Sequence, residues 1–152
     1  MEDKYKHLLL ENQICFPLYA VSRMVTKMYG PLLKDLDITY PQYLVLLVLW
    51  EKQEVTVSDL SKELLLETNT LTPLLKRMET KKILTRERSQ NDERQVKVAL
   101  TIKGKNMRQK AVCIPEQILS SIQTNQINVD EAINFQNTLN KILANFKANN
   151  KN

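Results

Sequence analysis

Residues 55–101, VTVSDLSKELLLETNTLTPLLKRMETKKILTRERSQNDERQVKVALT, decide the fold. Apolar residues first recur at helical spacing through Leu65, with Thr56 and Ser58 both suited to cap that helix. The polar run ETNT resets the chain, and a second helix capped by Thr68 or Thr70 runs to about Met78. Two amphipathic helices joined by a brief polar turn, the second ending in basic residues, form a helix-turn-helix. The period then changes to two. ILTRER and RQVKVALT read as strands, Val96, Val98 and Leu100 alternating with Gln95, Lys97 and Ala99, and SQNDE supplies the turn between them. A helix-turn-helix followed by a basic hairpin is a winged helix, so the fold class is α+β and mainly α.

Upstream, a helix opens near Thr39 with Pro41 in its first turn and runs through YLVLLVLWE, whose near-continuous apolarity marks the core helix. Before it, Ile14, Leu18, Val21, Val25, Met28 and Leu32 step at helical spacing within Leu8–Leu33, and Pro17 predicts a kink near Gln13–Pro17. Downstream, two helices are expected over roughly Lys103–Gln123 and Asn128–Ala148, the second opened by Asn128 and Glu131 in capping-box register. Ala132, Phe135, Leu139, Ile142 and Phe146 give it a strict 3-4 seam. A winged helix is too small to bury seams at both chain ends, so the end helices should form the dimerisation layer of a homodimer. The expected organisation is a single domain over 1–152. Its winged helix spans about 40–101, its dimerisation helices about 8–36 and 103–148, and KANNKN is a solvated tail.

Composition narrows the function. A chain of 152 residues with 43% hydrophobic and 26% charged residues has the balance of one soluble domain. Two glycines, Gly30 and Gly104, cannot build a phosphate-cradling loop, and a single histidine, His7, cannot build a histidine metal site or a Ser/His/Asp triad. The expectation is therefore a non-enzyme without cofactor or metal. The N-terminus MEDKYKH lacks the apolar core of a secretory signal, and no stretch suits a membrane span, which points to a cytoplasmic protein with no membrane partner. Between Lys76 and Lys110 stand twelve basic residues against four acidic ones, while the rest of the chain is net negative. A solvated face is the bland account of such a run, but its concentration in one third of the chain favours a polyanion partner, nucleic acid first.

Within that basic third, short polar side chains open the second helix of the helix-turn-helix and can approach base edges, while Lys76 and Arg77 reach phosphates. In the wing, Asp92 and Arg94 lie two positions apart, on one side of an extended strand where the carboxylate can hold the guanidinium for the minor groove. The competing account is a surface ion pair worth ~0 to 1 kcal/mol, and the flanking Arg86 and Arg88 favour DNA.

A second stripe on the first helix joins Cys15, Tyr19, Ser22, Thr26 and Tyr29. Such a cysteine is ordinarily a small buried hydrophobe and such tyrosines are ordinarily core edges. Cys15 and Tyr29 lie about 21 Å apart along one helix and cannot meet within a chain. Tyrosines that serve the thiol must then come from a partner subunit. Two cysteines are too few for a disulfide scaffold, so thiol chemistry in a reducing compartment would be transient and sensory.

The strings LENQICFPLYAVSR, ITYPQYLVLLVLWE, NTLTPLLKRME and NDERQVKVALTIKG, in that order, resemble the MarR family and within it the organic hydroperoxide resistance regulators, OhrR. The resemblance covers about residues 8–110. It implies a homodimeric winged-helix repressor of operator DNA that senses peroxide through Cys15. It implies DNA contacts at Thr68, Asn69, Thr70, Thr72, Pro73, Lys76 and Arg77. It also implies that Tyr29 and Tyr40, with Tyr19 close by, reach the cysteine across the dimer. A low-molecular-weight thiol would then capture Cys15 after its oxidation to the sulfenic acid. The chain departs from the family in reading ETNTL for DSGTL and in carrying Pro17. Cys113 is open to three readings: resolving thiol, inert core thiol or exposed bystander. Two-cysteine members place their second cysteine on this same helix, about two turns further on. The alternatives are a thiol-switched MarR-type regulator of broader stress or virulence genes, a thiol peroxidase using Cys15, and a winged-helix module for protein contact.

Overall fold

The computed structural model describes residues 3–90, 92, 94–122 and 127–149. The chain forms helices α1 (Cys15–Lys34), α2 (Tyr40–Lys52), α3 (Val57–Leu64), α4 (Thr68–Thr80) and α5 (Ile102–Ala111) and three short strands: β1 (Glu54–Thr56), β2 (Leu84–Arg88) and β3 (Val96–Leu100). Both outer strands pair antiparallel to β3, with Val55 opposite Val98 and Leu84 opposite Leu100. The alternation expected of the second wing strand holds, since Val98 and Leu100 are buried and Lys97 is exposed. The third strand, β1, comes from the residues just before α3 and pairs on the other edge of β3.

Helix α2 is the hub. Its N-terminus is closed by Gln42, whose Oε1 accepts the Thr39 N–H at 2.9 Å, and Pro41 sits in the first turn. Tyr43, Val45, Leu46 and Leu49 are buried against α1, α3, α4 and α5. Leu60 of α3 and Leu71, Leu75 and Met78 of α4 complete a fully buried apolar cluster with Ile83 and Leu84. Thr56 caps α3 by accepting the Asp59 N–H at 3.1 Å. The turn into α4 is made by Leu65 in the left-handed region, φ 53°, with the Leu66 N–H returning to the Ser61 carbonyl.

Three expectations change. The first helix begins at Cys15 rather than Leu8, behind two 3-10 turns at Asp3–Leu8 and Leu10–Asn12. Pro17 consequently falls in the first turn, where its missing N–H has no intrahelical partner to lose, and makes no kink. The proline inside α1 is Pro31, in its last turn. Neither Thr68 nor Thr70 caps α4: Glu67 is the N-cap, without a side-chain cap bond, and Thr68 is the first helical residue. The helix expected over Lys103–Gln123 is two helices, α5 and α6 (Ile114–Ile122), because Pro115 cannot donate to the Ala111 carbonyl. Its expected end at Gln123, Asn91 and Glu93 of the wing turn, and the last three tail residues lie outside the described residues.

The chain divides into two compact units, Met1–Ile114 and Pro115–Asn152. The second contains most of α6 and the long α7 (Val129–Asn149). Asn128 and Glu131 open α7 with the reciprocal capping box expected of them: the Asn128 N–H donates to Glu131 Oε2 and the Glu131 N–H to Asn128 Oδ1, both at 2.9 Å. The seam residues Phe135, Ile142 and Phe146 are exposed.

The base of the wing is welded by close backbone approach. The Thr101 N–H donates to the Ile83 carbonyl at 3.1 Å, and the Trp50 indole donates to the Gly104 carbonyl at 2.9 Å. A Cβ on Gly104 would lie 2.2 Å from the Ile83 carbonyl oxygen, so only glycine lets α5 start there. Gly104→Ala should therefore lower unfolding free energy by about 1 to 3 kcal/mol, as overpacking does, read from the urea midpoint against wild type.

Candidate DNA interface and thiol site

Burying Leu71, Leu75 and Met78 turns the opposite face of α4 outward. Thr68, Asn69, Thr70, Pro73, Lys76 and Arg77 are exposed there, and Thr72 is half-buried at the edge. Among the described residues Lys76 and Arg77 form no ion pair, which leaves both cations for an external anion. The predicted α4 site residues are therefore brought together on one accessible face.

The wing is arranged differently from expectation. Asp92 does not hold the Arg94 guanidinium. Its Oδ1 accepts the Arg94 backbone N–H at 3.0 Å, its Oδ2 accepts from the Gln95 side chain at 3.2 Å, and the Gln95 N–H returns to the Asp92 carbonyl at 2.9 Å. Both residues lie in the turn before β3 rather than on an extended strand, so the carboxylate shapes the turn, and among the described residues the exposed Arg94 side chain has no ion-pair partner. Arg86 is also recast: its Nε and Nη2 donate to Glu79 Oε2 at 2.9 and 2.6 Å, and its backbone N–H to Glu79 Oε1 at 3.1 Å. Glu79, which sequence reasoning passed over, thus ties the first wing strand to α4, and the guanidinium holds its carboxyl below the usual carboxylate range. Arg88, at the end of β2, is exposed.

Cys15 is a free, exposed thiol in the first turn of α1, among exposed Ile14, Phe16, Leu18 and Tyr19. Tyr19 accepts from Arg23 at 3.2 Å. Tyr29 lies 14 positions on, and its ring packs at 4.5 Å on Tyr40 and 5.7 Å on Tyr43, with Trp50 edge-on to Tyr43 at 6.2 Å. One chain thus unites Tyr29 with Tyr40 and keeps both from its own Cys15. Tyr43 and Trp50 extend the cluster; their i, i+3 and i+10 spacing from Tyr40 on an apolar helix was the available signal. Cys113 is a free, exposed thiol in the turn between α5 and α6, which removes the buried-core reading of it. Among the described residues no group of three or more histidine, cysteine or acidic side chains could hold a metal, and no described helix is long and apolar enough to cross a membrane.

The profile of the family described as transcriptional regulator SarA/Rot matches residues 27–111. The organic hydroperoxide resistance transcriptional regulator of Bacillus subtilis is 55% identical over 119 residues, 78% of this chain and 81% of that protein. This chain is a MarR-family regulator of the OhrR type. Among solved structures, reduced AbfR bound to DNA superposes with a TM-score of 0.74 at 38% identity, over 96% of this chain and 99% of that one. A disulfide-formed AbfR superposes at 0.61, with 38% identity over 92% and 96%. The expected fold and family are both confirmed by these relatives.

Burial raises the phenols of Tyr29, Tyr40 and Tyr43 above their ordinary 10.0, with Tyr40 and Tyr43 adding to the effect on Tyr29. The folded state then favours the neutral phenols, which keep their O–H donors. Their stabilisation is complete below pH 10 and falls as pH rises through the raised values. Urea unfolding across about pH 9 to 11 should show this alkaline loss, and Tyr43→Phe should make it shallower.

Proposed function

We propose that the chain is a transcriptional repressor that holds operator DNA as a homodimer and releases it when organic hydroperoxide oxidises Cys15. The observation that carries this reading is the position of the thiol: exposed, beside the apolar stripe of α1 that one chain leaves uncovered, and out of reach of its own Tyr29 and Tyr40. A second subunit covering Ile14, Leu18 and Val21 would bring its own tyrosines to that sulfur. Residues 1–152 then act as one MarR-type domain, the winged helix over about 40–101 reading DNA and the segments 8–36 and 103–148 pairing the subunits. The protein works in the cytoplasm, where both thiols stay reduced until challenged.

On DNA, α4 enters the major groove with Thr68, Asn69, Thr70, Thr72 and Pro73 at base edges and Lys76 and Arg77 on phosphates. Arg94, freed from Asp92, reaches the minor groove, and Arg88 supports it from β2. The thiolate of Cys15 attacks a peroxide oxygen; the S–O bond forms as O–O breaks, the alcohol leaves with a proton, and sulfenic acid remains. A low-molecular-weight thiol then condenses with the sulfenic acid, expelling water and leaving a mixed disulfide. The added group displaces the partner's tyrosines, and rotation of one half against the other breaks the spacing of the two recognition helices.

A second reading replaces the small thiol with Cys113. The exposure of Cys113 and the disulfide-formed AbfR among the relatives favour it.

Wild type and variants should be tested by mobility shift on a duplex enriched from a random pool, with light scattering for subunit number. Organic hydroperoxide should release wild type and fail to release Cys15→Ser; release of Cys15→Ser at the wild-type dose refutes the assignment. Cys113→Ser that still releases and acquires a small-thiol mass adduct supports the first reading, and its full loss of response establishes Cys113 as resolving. Arg94→Ala should weaken binding most where the flanking minor groove is narrow, whereas Lys76→Ala should weaken all sequences alike.

A further inference from the structure

On the outward face of α4, exposed Pro73 and its neighbour Thr72, half-buried at the edge, form a step without a free hydrogen-bond donor. Thr72 Oγ1 donates to the Thr68 carbonyl at 2.8 Å, so its only hydroxyl proton is committed to its own helix. In the staggered rotamer that makes this bond, the Cγ2 methyl takes a separate position on Cβ. Pro73, exposed in the helix interior, has no N–H and presents only its ring methylenes. Polar reach lies on either side of this step. Asn69 Oδ1 accepts from Thr70 Oγ1 at 3.3 Å, which orients the Asn69 amide nitrogen as the free donor, and Lys76 and Arg77 follow one turn later.

An apolar step facing the major groove pairs best with the C5-methyl of thymine, the one bulky apolar group that a base presents on that edge. Resting on the DNA-binding reading above, we propose that α4 selects an A·T pair in each half-site by packing Thr72 and Pro73 on the thymine methyl. The operator class this fits is an inverted repeat with an obligatory thymine in each arm, flanked by a base acceptor within reach of Asn69. Thr70 is a positioning residue that acts through the Asn69 amide.

The test begins with duplexes enriched by the full-length reduced protein from a random pool. Deoxyuridine then replaces each thymine in turn, removing the methyl and leaving every hydrogen-bonding group in place. One thymine per arm should respond, with affinity falling about four-fold for one arm and roughly fifteen-fold for both. In Thr72→Ser/Pro73→Ser, which puts a hydroxyl in place of each apolar group, the thymine-to-deoxyuridine ratio should fall to about one. In Thr72→Val, which keeps a methyl, the ratio should persist; thermal melts establish that each variant is folded. Enriched arms without a common A·T pair, thymines that all tolerate deoxyuridine, or a preference that survives in the double variant would overturn the proposal while leaving DNA binding intact. A pool from which no duplex is enriched would overturn the DNA-binding reading itself.

Discussion

The carbonyls of Ile83 and Gly104 sit at the junction on which the winged helix depends. Ile83 accepts the Thr101 N–H, and Gly104 alone can start α5 against that carbonyl because any side chain would collide with it. Gly104 in turn accepts the indole of Trp50, which binds the wing base to the core helix α2. The wing hairpin has little core of its own. Its aim relative to α4 is set at this base and by the Glu79–Arg86 pair beyond it. A partly exposed ion pair contributes modestly to stability, yet two guanidinium donors converging on Glu79 Oε2, with the Arg86 backbone N–H on Oε1, define a direction well. Direction is what the proposed docking requires, because it sends Arg94 to one groove and α4 to the next.

In the proposed function, sensing and reading share the same hub. Helix α2 carries Tyr40 and Tyr43 against Tyr29 of α1, Trp50 against α5, and its apolar flank against α3 and α4. A displacement of the tyrosines in response to a modified thiol is therefore felt by an element that touches both the recognition helix and the wing base. Packed interiors respond to such displacement by moving between discrete arrangements rather than by absorbing it. This gives the proposed switch a physical route that needs no separate linker.

Some of the molecule was legible because its signals are local. The change of period from 3.6 to 2 after Met78 marked the end of the helix-turn-helix and the start of the wing, and the Asn128–Glu131 box marked the N-terminus of α7. The errors were also local. Pro17 suggested a kink because the helix was thought to begin seven residues early, and Pro115 was passed over as the break between α5 and α6. Two residues of correct spacing misled in the wing, where Asp92 and Arg94 sit in a turn and the carboxylate finds a backbone N–H nearer than the guanidinium.

Chain order alone carried the class of fold, the concentration of positive charge and the placing of Cys15 and Tyr29 too far apart to meet within one subunit, because helical rise and residue spacing suffice for these. The pairing of side chains distant in sequence came only with the folded chain. Trp50 and Gly104 lie 54 residues apart, and Thr101 meets the Ile83 carbonyl across the whole wing. Arg86 looks like any basic wing residue until β2 folds back on α4 and Glu79 claims it. Hydrogen bonds between remote groups depend on distances of a few tenths of an ångström, which packing of the core sets and no pattern of residue types encodes.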